Sequence, residues 1–345
     1  MKKTCKIRLA RRSRPYAAVR SAAFVLLAVA VLAGVARGED EKPSSLQTVL
    51  KGMKLSGYAQ VLGTAWHNDT STFQARRVRL SLAGDIVKNL RFKVTADLVK
   101  SPALLDGLVE FEPARFAGVR IGQFLVPFSL ESTTSTPDLD FVNRAETVET
   151  LSPGRDNGSS GRDVGAAAFG RYTIAEYTVG LFNGSGTNKA DTNSRKDFAG
   201  RVVLRPFGML AVGGSIYRGR KSPAPDAPDP TLLRRDREGL EAVFLLGGFS
   251  AKSEWLHAVD DLVSKAGWYV QAGCFALPAR LQGLLRYESL DPDRAVPGNS
   301  RRILTAGVNW FIAGKTKLQV NYELHRLQGA GTEKSGVLAQ FQAGF

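Results

Sequence analysis

Two arginines at alternate positions, Arg77 and Arg79, stand in the stretch ARRVRLSLAG, and the spacing returns as Arg91 and Lys93 in LRFKVTADL. Side chains two apart on an extended strand project from one face, so each pair offers two cations to a common surface. Arg120, Arg201, Arg286 and Lys317 fall at the corresponding parity in later segments. Guanidinium groups are planar forks that match carboxylate and phosphate, and a row of them offers weak successive stations to small oxyanions. The same charges have a second reading. Paired across strands with Asp97, Asp106, Glu110, Glu288 and Glu323, they would only solvate a polar wall.

Covalent chemistry finds little support. Three histidines, His67, His257 and His325, are scattered. Ser253 lies nearest to His257 by strand spacing, and a polar tip at an interface explains that pair more simply than a nucleophile and its base. NGSGTNK lacks the spacing of a phosphate loop and no helix follows it, so it reads as a connection. HNDTST reads as a solvated turn rather than a calcium loop. No metal site, cofactor or catalytic residue is expected.

A second group of charges lies between Val126 and Ser160. Six acids, Glu131, Asp138, Asp140, Glu146, Glu149 and Asp156, face two bases, Arg144 and Arg155, in a stretch that also contains NRAETVETLSPGRDNG and no lysine. An acidic segment set against a basic wall would create a transverse field that passes many small polar solutes with mild charge preference.

The elements that must carry these residues alternate with a period of two from residue 52 onward. Leu90, Phe92, Val94, Ala96 and Leu98 oppose Arg91, Lys93, Thr95 and Asp97; Leu318, Val320, Tyr322 and Leu324 oppose Lys317, Gln319, Asn321, Glu323 and His325. Such segments number about sixteen, near 54–66, 73–84, 90–99, 104–112, 118–126, 161–171, 174–183, 196–205, 209–218, 236–246, 249–258, 265–276, 281–290, 301–311, 315–326 and 335–345. Short connections (DIVKN, PARFA, RPFG, GGF, LPAR, IAGK) alternate with long ones (126–160, 184–195, 219–235, 291–300). An all-β transmembrane antiparallel barrel has this phase, with short periplasmic turns and long outer loops. About sixteen strands leave a wet lumen, and the long connection after strand 5 is expected to fold inward as a constriction. In GVLAQFQAGF, Val337, Ala339, Phe341, Ala343 and Phe345 share one face and only Leu338 breaks the pattern. An open sheet edge has no solvent partner in hydrocarbon, so this segment must close on the first strand.

The N-terminus specifies the route. Eight bases and no acid in residues 1–20 precede the apolar run AAFVLLAVAVLAGVA, and Ala36 and Gly38 stand where a signal peptidase cuts. Residues 1–38 read as a cleaved export signal, 39–51 as a short periplasmic segment and 52–345 as the barrel. With the signal go nine Lys and Arg, taking the formal charge from +15 to 15 − 9 = +6, so the high pI does not argue for nucleic acid. Cys5 leaves too, and Cys274 alone forms no internal disulfide. No other apolar stretch is long enough for a membrane helix. The basic flanks of RGRKSPAPDAPDPTLLRRDR could touch lipopolysaccharide phosphates.

RIGQFLVPFSLE at 120–131 resembles the phosphate-selective porin O and P family. The resemblance continues through ARRVRLSLAG, GRDVGAAAFG, VGLFNGSG, GWYVQAGCF, LLRYESLD and LTAGVNWFIAGKTKLQVNY, in order and across nearly all of the expected mature chain. It implies a sixteen-stranded, homotrimeric, general or anion-preferring diffusion channel in the bacterial outer membrane, for small anions or polar solutes. It also implies that Phe345 is the C-terminal aromatic signal read by the outer-membrane assembly machinery. The phosphate-selective members line their constriction with lysines, and the loop at 126–160 has none.

Overall fold

A computed structural model describes residues 52–222, 233–328 and 333–345. The expected export signal and periplasmic segment lie outside these residues. Sixteen antiparallel strands form one closed barrel in which each strand pairs with its neighbours in sequence and the last with the first. They are β1 (Lys54–Trp66), β2 (Thr72–Val87), β3 (Leu90–Asp97), β4 (Leu104–Ala114), β5 (Ala117–Leu125), β6 (Arg162–Tyr172), β7 (Ala175–Phe182) and β8 (Asp197–Phe207). The second half comprises β9 (Leu210–Lys221), β10 (Leu233–Leu246), β11 (Phe249–Asp260), β12 (Val263–Leu277), β13 (Leu281–Asp291), β14 (Arg301–Ala313), β15 (Thr316–Leu327) and β16 (Glu333–Gly344).

The connections sort by end of the barrel. Those at 88–89, 115–116, 173–174, 208–209, 247–248, 278–280 and 314–315 are tight, and several turn through left-handed backbone at Asn89, Thr173, Gly247, Ala279 and Gly314, as hairpin turns that match strand twist require. The opposite end carries the longer connections, with one exception. Residues 261–262 make a two-residue turn with Asp261 at φ 53°, where a wider connection was expected.

Alternation sets the two faces. Val61, Leu80, Val94, Ile121, Val308, Val320, Val337 and Phe341 point outward and are exposed, giving the apolar exterior of a lipid-facing barrel. Their neighbours along the strands, Gln60, Thr95, Thr305, Asn309, Asn321, Gln340 and Gln342, point inward and are buried. A polar group is stable there because its partners are at hand: Gln60 donates to Gln342 at 2.6 Å across the closing seam, and Gln340 donates to Gln319 at 3.1 Å. The seam runs to the last residue, where the Gly57 N–H donates to the Phe345 carbonyl at 3.1 Å and the Phe345 N–H to that of Gly57 at 3.0 Å.

The connection after β5 carries the barrel's interior core. It holds α1 (Leu130–Thr133), one 3-10 turn (Thr136–Asp138) and α2 (Glu146–Leu151). Phe128, Val148 and Leu151 are fully buried in a cluster with the inward-facing Leu256, Tyr269 and Leu290, each burial contributing about 1.5–3 kcal/mol. On the far wall, Val142 packs against Leu62 and Leu338. Leu338, the residue that breaks the C-terminal alternation, is therefore an apolar seat for the loop.

Candidate functional site

The loop stays inside the barrel because inward-facing side chains satisfy its backbone. Beyond Leu125 the chain turns into α1, whose Leu130 and Glu131 N–H groups both donate to Glu254 of β11 at 2.8 Å; Tyr269 also donates to that carboxylate, at 2.8 Å. Crossing the lumen, the chain meets Lys317 of β15, whose Nζ donates to the Leu139 carbonyl at 2.7 Å. Asp140 accepts from Lys252 and Gln271, each at 2.6 Å. The Val142 N–H donates to Asn321 at 2.7 Å. Glycines leave room for the seat: a Cβ on Gly267 of β12 would lie 2.7 Å from Thr147 of α2, and one on Gly307 of β14 would lie 3.2 Å from the ring of Phe141.

Ion pairs complete the attachment. Glu131 pairs with Arg286 at 3.5 Å, Glu146 with Arg301 at 2.5 Å, and Asp156 with both Arg235 at 2.6 Å and Arg237 at 2.8 Å. The loop's acids are thus spent largely on holding it, and only Asp138 and Glu149 among them stay exposed. This corrects the expected opposition of an acidic loop to a basic wall. Arg144 and Arg155 are the buried exceptions in charge: Arg144 donates to the carbonyls of Glu131 and Thr134 at 2.9 and 2.7 Å, Arg155 to Ser132 Oγ at 2.8 Å and the Ser132 carbonyl at 2.7 Å, and both reach Glu149, at 4.0 and 3.1 Å. Burial pushes both guanidiniums below the usual arginine range, so an added anion would be favoured beside them.

The inward bases of the wall are mostly paired, as the second reading of their spacing anticipated. Arg79 holds Asp97 at 2.9 Å, Lys93 faces Asp106 at 3.6 Å and Arg120 is bonded to Glu110. Arg91 takes Glu112 at 2.5 Å and Arg201 takes Glu241 at 2.5 Å. An open ladder running through Arg286 and Lys317 is corrected outright. Arg286 is 1 % exposed, between Glu131 and Glu288 with the Phe141 ring 4.6 Å from its centre, and Lys317 is sealed against the loop. Arg77 differs from the rest, bonding only to Gln60 at 2.9 Å, with no carboxylate in ion-pair range among the described residues.

Strand parity alone misses Arg76. Gln60 pairs with Arg77 but Val61 with Ala75, so Arg76 is the extra residue of a bulge and turns inward beside Arg77. Its Nη1 donates to the Val142 carbonyl at 2.9 Å and its Nη2 to Asn143 at 2.5 Å. A clue lay in the sequence: an arginine facing hydrocarbon costs about 2–4 kcal/mol at mid-membrane, so adjacent arginines in a spanning strand call for a bulge. Arg162, Arg235 and Arg237 were also missed as partners of Asp106 and Asp156.

Several cavities border the loop among the described residues. One of about 210 Å³, toward the end with long connections, is lined by Arg77, Arg79, Lys100, Arg144, Arg155 and Arg162 against the single acid Glu149, with Thr136 and Ser160. A second, of about 370 Å³, opens toward the tight turns and is lined by Thr133, Arg120, Arg201, Arg171 and Glu112 among others. The segment 133–136 stands between these two. The third, of about 380 Å³, lies between β2 and β13–β15.

A model of the family described as phosphate-selective porin O and P matches residues 56–226 and 224–344. The fold is similar to an anion-selective porin from Comamonas acidovorans, 17% identical over 85% of this chain and 99% of that one, with a TM-score of 0.66. It is similar also to a Salmonella typhi OmpF in complex with daunomycin (10%, 84% and 97%, 0.62) and to a loop-deletion mutant of Vibrio cholerae OmpT (12%, 84% and 99%, 0.60). No curated protein matches the chain.

Proposed function

The chain belongs to the phosphate-selective porin O and P family, an outer-membrane channel family, and from that premise we propose that it conducts small hydrophilic solutes with a preference for anions. The observation that carries this is the 210 Å³ cavity, with six bases, Arg77, Arg79, Lys100, Arg144, Arg155 and Arg162, against Glu149. Fixed cations at a narrow point raise the local concentration of anions. The route runs past the loop segment 133–136, between it and the wall of β2–β5, where Lys93 and Asp106 are placed, and leaves by the lower cavity beside Arg120 and Arg201. The loop acts as the constriction, and its acids serve mainly as anchors. Family and fold point to a channel rather than an enzyme.

The assembled form is a homotrimer, a reading supported by a trimeric form of Vibrio cholerae OmpT with the same fold. Residues 1–38 act as the export signal and 39–51 as a periplasmic lead, the terminal Phe345 engages the assembly machinery, and the barrel's outer rim meets lipopolysaccharide. A loop without lysine favours general anion preference over dedicated phosphate transport.

Planar-bilayer recording of the purified protein tests the proposal. Stepwise conductance with a reversal potential of anion-selective sign in a KCl gradient is expected, and chloride current should fall only weakly on adding phosphate. A barrel that inserts yet conducts nothing would make it a plugged structural protein, and strong saturable inhibition by phosphate would make it a dedicated oxyanion channel.

A further inference from the structure

The third cavity differs in chemistry from the other two. Its β2 side carries Arg76 and Arg77, neither of which has a carboxylate in ion-pair range among the described residues. Its β15 side carries Glu323, which accepts from Asn143 at 3.1 Å and from His325 at 2.9 Å. Between the two stands one side-chain amide: Asn143 accepts from Arg76 at 2.5 Å through its oxygen and donates to Glu323 through its nitrogen. The amide satisfies both charged groups and keeps them from meeting. Within the same lining, Arg286 has a buried Nε without a hydrogen-bond partner among the described residues. The other charges of the lining are paired, Arg144 with Glu149, Arg286 with Glu288 and Glu146 with Arg301, which leaves the cavity positive toward β2 and negative at Glu323 of β15, with room at about 380 Å³ for a molecule of several heavy atoms.

We propose that this cavity is a stopping place for small zwitterions, with the solute's carboxylate toward Arg76 and Arg77 and its ammonium toward Glu323. A simple anion meets attraction at one end and repulsion at the other, and a simple cation likewise. Only a solute bearing both charges, separated by a few bonds, complements both ends. The proposal rests on the channel reading above, since the solute must arrive through a conducting lumen, and it adds a solute class to that reading.

The test uses the full assembled protein in planar bilayers at neutral pH, with glycylglycine as the zwitterion, N-acetylglycine as the carboxylate alone and glycinamide as the ammonium alone. Glycylglycine is expected to cause saturable current interruptions at concentrations roughly fivefold or more below those at which either single-charge probe does so, the equivalent of about 1 kcal/mol. Glu323→Gln and Arg77→Gln should each remove that difference. Glu323→Gln keeps the acceptor for Asn143, so a change in that variant reports charge rather than a displaced loop. Equal potency of the three probes, or a preference for glycylglycine that survives both substitutions, would overturn the proposal. A protein that conducts no KCl fails the channel reading itself, and one that conducts KCl but ignores glycylglycine fails only this inference.

Discussion

Asp156, on the returning limb of the internal loop, accepts from Arg237 of β10 at 2.8 Å, and that guanidinium is 2 % exposed. The same carboxylate takes Arg235 at 2.6 Å. One acid thus bridges two buried cations; Arg237 keeps a second carboxylate, Asp260 at 2.6 Å, so the loss falls hardest on Arg235, whose other acid, Asp197, is 4.0 Å away. Asp156→Asn is expected to cost about 3 kcal/mol, as breaking a buried pair does. Thermal unfolding in detergent should shift downward, and single-channel traces should become noisier as the limb loosens. An unchanged transition with quiet traces would show that the apolar seat alone holds the loop.

Arg144 and Arg155 supply two of the six bases of the anion cavity and share the acid Glu149. Replacing both with Gln should lower the anion-to-cation permeability ratio by about fivefold, equivalent to about 1 kcal/mol, read from the reversal potential in a KCl gradient. A ratio that stays put would move the selectivity to Arg77 and Arg79.

Lys100, in the connection from β3 to β4, donates to Ser160 at 3.0 Å. Burial, and then repulsion from Arg79 and Arg77, lowers its pKa from the usual 10.5. A lowered lysine is cationic below its folded pKa and neutral above it, so its share of the anion preference is present at neutral pH and is lost as pH rises, before an ordinary lysine would discharge. The reversal potential should therefore drift toward zero in the alkaline range below 10.5. Lys100→Gln should abolish that drift; a drift that persists in the variant assigns it to another group.

Phe345 exchanges two backbone hydrogen bonds with Gly57 and leaves its ring exposed. Deleting the residue removes both bonds, with a cost of about 1–3 kcal/mol, whereas Phe345→Ala keeps them. If the ring is the assembly signal, both variants should reach the outer membrane in equally reduced amounts in cell fractionation. If closure alone matters, only the deletion should.

What the sequence made legible follows from a single regularity. Parity along strands such as LRFKVTADL located both faces, and the alternating lengths of the connections located both ends. The site was less legible because it depends on pairs far apart in the chain. Arg286 reads as an open lumen charge by parity, and only the placement of Glu131, 155 residues away, shows that it is sealed. Arg76 was hidden by one inserted residue, since parity counted from Arg77 and Arg79 sends it outward and only the bulge turns it in. Leu338 was visible as an exception, but Val142, its reason, lies in a loop with no periodicity to read.

Glu254 of β11 and Arg237 of β10 hold the internal loop on one side of the cylinder, and Arg76 of β2 holds it on the other. A hollow tube in a membrane is squeezed sideways by the surrounding lipid, and its easiest deformation is to become oval. A strut across one diameter stiffens the section against that distortion, so the segment folded inside the barrel also keeps its calibre steady as the surrounding pressure varies.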